Sequence, residues 1–286
     1  MKKVLITGAQ GMLATDFIST KGGEYEIISC DRQSLDITSL TDIRTVMERY
    51  MPDIVLNCAA YTNVDEAEDS GKKASFDINT LGVYHLAKVT SELGCDLITI
   101  STDYVFDGKN RDLYHEDDIC SPLGNYGMSK YLGEQLAREE NPYSIIIRTS
   151  WLYGGGPTFK NFVNTMLRLA ESRPELNVVN DQFGSPTYTV DLSHAISQVI
   201  DHIETYRGRI LHLSNETPAH GISWFEFARE IFHLTNKQVH INACSTDEFP
   251  SKAKRPQYSK LQNQSDIRLV DWKTGLAEYI ESLKRV

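Results

Sequence analysis

Through its first half the chain alternates short β-branched runs with longer stretches whose apolar positions recur about every three or four residues. The runs at 4–7, 27–29, 53–57, 97–100 and 144–147 predict five strands. The stretches at 39–50, 74–93 and 126–140 predict helices between them, and another helix should begin near Gly11. This is the pattern of parallel strands joined by crossover helices, an α/β doubly wound sheet. Beyond residue 150 the alternation loosens. Helical spacing recurs near 159–171, 191–203, 223–233 and 272–284, and short strands are expected at 176–179, 210–213 and 238–241. A smaller mixed α/β domain is therefore expected in the second half, sharing a crevice with the first.

Composition narrows the class of molecule. At 286 residues the chain exceeds a minimal binding module and suits one large α/β unit with a smaller partner. Hydrophobic residues make up 41%, a globular proportion that excludes disorder. Lys and Arg number 29 against 39 Asp and Glu, and the resulting charge of −10 repels nucleic acid and anionic membranes. Apolar runs such as Ile145-Ile146-Ile147 fall far short of the roughly 20 residues of a membrane span. The N-terminus has no secretory hydrophobic region, so the cytoplasm is the expected location. Cys30, Cys58, Cys95, Cys120 and Cys244 form no Cys-x-x-Cys pair and read as reduced thiols. The histidines show no metal-binding spacing either, so no metal ligand is assigned.

Candidate chemistry begins right after the first strand. Gly8-Ala9-Gln10-Gly11-Met12-Leu13-Ala14 opens the expected helix, the context that turns a glycine pattern into a dinucleotide-binding hypothesis. Gly8 would permit a tight turn, and Gly11 would let pyrophosphate approach the helix N-terminus. The spacing is G-x-x-G-x-x-A rather than G-x-G-x-x-G. Asp31 follows the second strand, where a carboxylate can bind an adenosine ribose; Arg32 beside it could instead pair with a 2′-phosphate, leaving NADH and NADPH both open. Asp36 and Ile37 would border the adenine. Ala59, Ala60 and Tyr61, after the third strand, offer small residues where the cofactor crosses the sheet edge. The sheet is thus expected to be of Rossmann type, with residues 1–150 mainly holding NAD(P), segments near 190–215 completing that domain, and 151–286 mainly binding substrate.

The reacting end lies further along. Tyr126 and Lys130 are spaced i,i+4, which places phenol and ammonium on one helix face. A neighbouring cation should favour tyrosinate and let Tyr126 exchange a proton with a carbonyl or alcohol oxygen, while Lys130 holds the nicotinamide ribose. Ser101-Thr102-Asp103 follows the fourth strand, at the carboxyl end where open α/β sheets assemble their sites; Thr102 could align the substrate oxygen.

These segments, with residues 58–68, 101–108, 148–154, 181–187 and 254–256, resemble the dTDP-4-dehydrorhamnose reductase family of extended short-chain dehydrogenases over almost the entire chain. The resemblance implies NADPH- or NADH-dependent reduction of the C4 carbonyl of a dTDP-4-keto-6-deoxysugar, dTDP-4-dehydro-β-L-rhamnose, to dTDP-β-L-rhamnose, with Thr102, Tyr126 and Lys130 as the catalytic triad. It places Asn63, Val64, Tyr104 and Trp151 near the sugar, and Gln182 and Arg255 on the nucleotide-sugar side. A homodimer is compatible with it, as is a magnesium ion at the dimer interface, for which no ligands are assigned. Two other readings share the motifs: a related nucleotide-sugar ketoreductase or epimerase, and a noncatalytic regulatory subunit resembling that of methionine adenosyltransferase. Retention of the triad favours an enzyme, since a regulatory subunit needs no proton route.

Overall fold

The computed structural model describes residues 1–249 and 251–285. Five strands of the first half form: β1 (Lys3–Thr7), β2 (Glu26–Cys30), β3 (Ile54–Asn57), β4 (Asp96–Thr102) and β5 (Ile145–Thr149). With them come helices α1 (Met12–Lys21), α2 (Leu40–Tyr50), α3 (Lys72–Phe76), α4 (Val83–Leu93) and α5 (Asn125–Glu140). The second half contributes β6 (Leu152–Tyr153), α6 (Phe162–Leu169), β7 (Glu175–Val179), β8 (Phe183–Gly184), β9 (Thr187–Tyr188), α7 (Thr189–Asp201) and α8 (Ile203–Tyr206). It ends with β10 (Ile210–His212), β11 (Ile222–Ser223), α9 (Trp224–Thr235), β12 (His240–Cys244) and α10 (Trp272–Leu283).

The six-stranded parallel sheet runs β10-β5-β4-β3-β1-β2. Val4, Leu5 and Ile6 are all fully buried because helices cover both faces, and successive side chains point to opposite layers. One layer packs Leu13 and Phe17 of α1 against Leu192 and Ile196 of α7. The other packs Ile43 and Met47 of α2 with Leu86 and Val89 of α4 and Ala137 of α5. This is a Rossmann-type fold, and α7 and β10 are the places where the chain returns to the sheet. A separate apolar cluster around Tyr153, Phe227, Leu276 and Tyr279 forms the core of the second lobe. There β7 pairs with β12, β6 with β9 and β8 with β11. Among the described residues no helix is long and apolar enough to cross a membrane.

Strand order reverses about β1, with β2 on one side and β3 on the other, so a crevice opens at the carboxyl ends of β1 and β3. A buried polar rung crosses there. Thr7 Oγ1 donates to Asn57 Oδ1 at 2.6 Å, and Asn57 Nδ2 donates to Thr99 Oγ1 at 2.9 Å. The lobes are tied at Asp16 of α1, whose carboxylate accepts the Gly155 amide at 2.8 Å and the Thr189 hydroxyl.

One predicted element differs. The helix expected over 74–93 is interrupted, with a π-helical turn at Asp77–Gly82 between α3 and α4. The cause lies on α5, where the backbone carbonyl of Asn79 presses so close to Gly133 that a Cβ there would sit 2.1 Å from it. The wider turn accommodates this approach and aims the Asn79 side chain at the loop after β3.

Candidate active site

The turn after β1 is built for close approach. Gly8 has φ +63°, and a Cβ on it would stand 2.7 Å from the Ala59 Cα, so the two loops meet backbone to backbone. Gly11 caps α1 with no side-chain hydrogen bond, which leaves the first amides of the helix available to an anion. This cradle, filled by any side chain at position 8, fits a dinucleotide pyrophosphate. Beside it Gln10 Nε2 donates to Asp31 Oδ2 at 2.8 Å. Asp31 Oδ1 accepts the Ser34 amide at 2.9 Å, the Ser34 hydroxyl at 2.8 Å and the Gln33 amide at 3.0 Å, and these bonds, Ser34's foremost, hold the carboxyl below its ordinary range. Ala9, Gln10, Asp31 and Ser34 line one open cavity. Arg32 is exposed, and its charge reaches Asp36, whose carboxyl is held low first by the Thr38 amide and hydroxyl.

Not every residue expected at the cofactor offers its side chain. Leu13 and Ile37 are buried in the two core layers, Ile37 against Gly82, so only their backbones are free to line a site. Met12 packs on the second-lobe loop, its thioether 3.8 Å from Asn161 Nδ2. Ala60 is exposed at the crevice, and the backbone of Tyr61 is clasped on both sides by Asn79, at 2.8 and 3.0 Å.

Thr102 stands at the end of β4, and Tyr126 and Lys130 occupy successive turns at the start of α5. The Thr102 hydroxyl caps the following turn by accepting the Tyr104 amide at 3.2 Å, and donates to Asp103 Oδ1 at 3.1 Å. Lys130 is 5% exposed and its Nζ donates to the Ile100 carbonyl at 2.5 Å. Burial lowers the ammonium to about 8, against the pull of Glu134 and the Cys58 thiol. The expectation of a favoured tyrosinate is corrected here. Burial pushes the Tyr126 phenol up to about 12, Asp103 adds to the rise, and a hydrogen bond with Thr102 opposes it only in part. The phenol therefore holds its proton at neutral pH, the form a proton donor needs.

Val64, Tyr104 and Tyr126 come together around a small cavity with Gly127 and Pro256. Tyr104 meets Tyr126 edge to face at 5.6 Å. The other expected sugar contacts are already engaged within the protein. Asn63 caps a short turn, its Nδ2 2.7 Å from Glu66 Oε2. Trp151 adopts φ +49° and stacks on Trp224 with ring centroids 3.5 Å apart, pressed from behind by Gly184. Gln182 is buried and donates to Thr246 Oγ1 at 3.0 Å. Arg255 pairs with Asp65 at 2.8 Å, across the crevice between the lobes, while its Nε is buried without a partner. Among the described residues no three His, Cys, Asp or Glu side chains are grouped to hold a metal.

The same chain matches, over residues 1–285, the family model described as the RmlD substrate binding domain. The chain belongs to that family. It is 42% identical to the spore coat polysaccharide biosynthesis protein SpsK of Bacillus subtilis, over 98% of each chain. It is 39% identical to the dTDP-4-dehydrorhamnose reductase of Aggregatibacter actinomycetemcomitans, over 96% of this chain and 97% of that one. The crystal structure of the Bacillus anthracis dTDP-4-dehydrorhamnose reductase in complex with NADP superposes with a TM-score of 0.92 at 39% identity, over 99% of this chain and 100% of that one.

Within this family fold, three features at the site escaped the sequence reading. Asn79 bonds the Tyr61 backbone on one side and Ser129 Oγ, at 3.0 Å, on the other, which joins the loop after β3 to α5. An Asn within an otherwise amphipathic helix was its only local signal. Asp103 is 2% exposed, and burial raises its carboxyl to about 6, with hydrogen bonds from Ser259 and Thr102 opposing. Its Oδ2 has no partner. Glu68 caps α5 through the Asn125 amide at 2.7 Å, a carboxylate set against the positive end of the helix that carries Tyr126.

Proposed function

We propose that this protein reduces the C4 carbonyl of dTDP-4-dehydro-β-L-rhamnose to dTDP-β-L-rhamnose, using NADPH or NADH, with the first lobe binding the cofactor and the second the nucleotide sugar. The observation that carries this reading is Tyr126 at the start of α5 beside Thr102 at the carboxyl end of β4, on the same end of the parallel sheet as the Gly8–Gly11 turn that follows β1. Family membership and the names of the relatives support the substrate class. Exposed Arg32 beside Asp31 supports binding of a 2′-phosphate, hence NADPH.

The bound nicotinamide supplies the hydride that reaches the sugar C4. Tyr126 gives its phenolic proton to the carbonyl oxygen as negative charge develops there. Thr102, its oxygen held by the Tyr104 amide, turns its single O–H from Asp103 to the carbonyl oxygen and so orients it beside the phenol. Lys130 spends one N–H on the Ile100 carbonyl, which fixes the ammonium in place and leaves two donors for the cofactor ribose and for the tyrosinate left after proton transfer. Val64 and Tyr104 form the apolar and aromatic wall beside the phenol, suited to a deoxysugar face. Arg255 can exchange its pairing with Asp65 for a contact to the substrate diphosphate, offering a fork of donors.

The test is turnover of dTDP-4-dehydrorhamnose by the purified protein, followed by loss of reduced-nicotinamide absorbance and by product identification. Formation of dTDP-rhamnose supports the reading. Reaction only with a different 4-ketosugar, or none with any, overturns it.

A further inference from the structure

Beneath the triad lies a buried ion pair with no part in the chemistry so far. Glu134, on α5 one turn beyond Lys130, and Arg148 of β5 are each 2% exposed. Arg148 Nε and Nη2 donate to the two Glu134 carboxylate oxygens at 3.0 and 2.7 Å, a bidentate fork. The Ser101 hydroxyl donates to the same carboxylate. Ser101 and Arg148 are register partners on β4 and β5, so Glu134 sits over both strands at one rung. Ser101 directly precedes Thr102, and the carbonyl of Ile100 before it holds Lys130. Two adjacent residues of β4 are thus gripped by two successive turns of α5, and the grip joins all the elements that carry the triad.

A buried ion pair rarely improves on an apolar contact for stability alone, because desolvation offsets the attraction. Here Glu134 lies one helical turn beyond Lys130 on α5, near enough for its charge to act on that ammonium. We propose that Glu134, clamped by Arg148 and Ser101, is a positioning residue for the reduction: it keeps Lys130 in its charged form and in place, and fixes α5 against Thr102. The proposal rests on the ketoreductase reading above. The other titratable groups around Lys130 and the pair are the Cys58 thiol after β3, Tyr126 one turn earlier on α5, Cys120 and Glu116 in the loop before α5, and His212 of β10. His212 is fully buried, and burial, with Arg148 adding, pushes it down to about 3, so it stays neutral in the range where Lys130 titrates. Among the groups acting on the ammonium, Glu134 is the foremost in keeping it charged.

The experiment measures NADPH affinity by equilibrium titration from pH 6 to 10, alongside thermal melting. In the parent chain, affinity should weaken as pH rises through about 8, as Lys130 loses its charge. Glu134→Gln should move that midpoint down by about one pH unit, and Glu134→Asp, which keeps the charge, should return it toward the parent. The combined variant Glu134→Gln with Arg148→Met leaves no buried charge unpaired and should shift the midpoint in the same direction by less. Lower melting temperatures with an unmoved midpoint would overturn the proposal, since a purely structural clamp predicts that result. Failure of both the single and the combined variant to fold would overturn it too, by assigning the pair to the scaffold. A parent chain that binds NADPH but reduces no 4-ketosugar would count against the substrate reading alone, whereas one that binds no NADPH would overturn both.

Discussion

Replacing Asp103 with asparagine should make the protein more stable at neutral pH, by an amount that disappears in acid. Asp103 is buried directly after β4, beside Thr102, with one carboxylate oxygen unpartnered, and desolvation raises it from 3.8 to about 6. A carboxyl that binds its proton more tightly folded than unfolded favours folding below 3.8 and loses that contribution as pH rises through about 6. The gap between those values, at about 1.4 kcal/mol per pH unit, amounts to about 3 kcal/mol. That is a sizeable share of the roughly 5–15 kcal/mol that holds a typical domain together. Asn has the same shape and no proton to lose, so Asp103→Asn is free of this pH dependence. Urea unfolding of both proteins at intervals between pH 4 and 8 gives the difference in their stabilities. The difference should grow in favour of the variant by about 2 kcal/mol across that range, the remainder lying below pH 4 where the unfolded carboxyl also takes its proton. Any fixed offset from packing of the amide cancels in the comparison. A difference that stays constant with pH would refute the reasoning, because Asp103 would then titrate in the fold as it does in the unfolded chain.

Tyr126→Phe should lower turnover by about 10²–10⁴-fold, the usual contribution of a positioned proton donor, while NADPH affinity and melting temperature stay close to the parent's; an undiminished rate would remove Tyr126 from the proton route. Gly8→Ala should weaken NADPH binding more than about tenfold and cost about 1–3 kcal/mol of stability, because φ is +63° and the new Cβ would stand 2.7 Å from the Ala59 Cα. Titration and thermal melting read both effects, and unchanged NADPH affinity would show that the Gly8 turn is not part of the cofactor cradle.

The sheet was legible because its strands are continuous apolar runs bounded by Gly, Asn and Asp, and a run such as Val4-Leu5-Ile6 has few folds in which to be buried on both faces. The placement of Tyr126 and Lys130 on one helix face was legible because an i,i+4 spacing is a local fact, and Thr102 at the end of β4 follows from the strand pattern. What escaped depends on residues far apart in the chain. The π-helical turn at Asp77–Gly82 answers to Gly133, which the pattern of 74–93 does not contain. The raised Tyr126 phenol reflects burial, whereas the sequence offered only a nearby lysine. Nothing local to Arg255 names its partner; the fold brings Asp65, 190 residues earlier, to within 2.8 Å. The pairing of Glu134 with Arg148 likewise joins a helix and a strand that carry no mutual signature.

On the proposed function, Tyr126, Thr102 and Lys130 present a ketone to a reduced nicotinamide. The most direct test of that step supplies NADPH carrying deuterium at the transferable C4 position, together with dTDP-4-dehydrorhamnose, and locates the label by NMR. One deuterium at C4 of the rhamnose product is the expected result; consumption of the sugar without label at C4, or no consumption of NADPH, would rule out hydride transfer to that carbon.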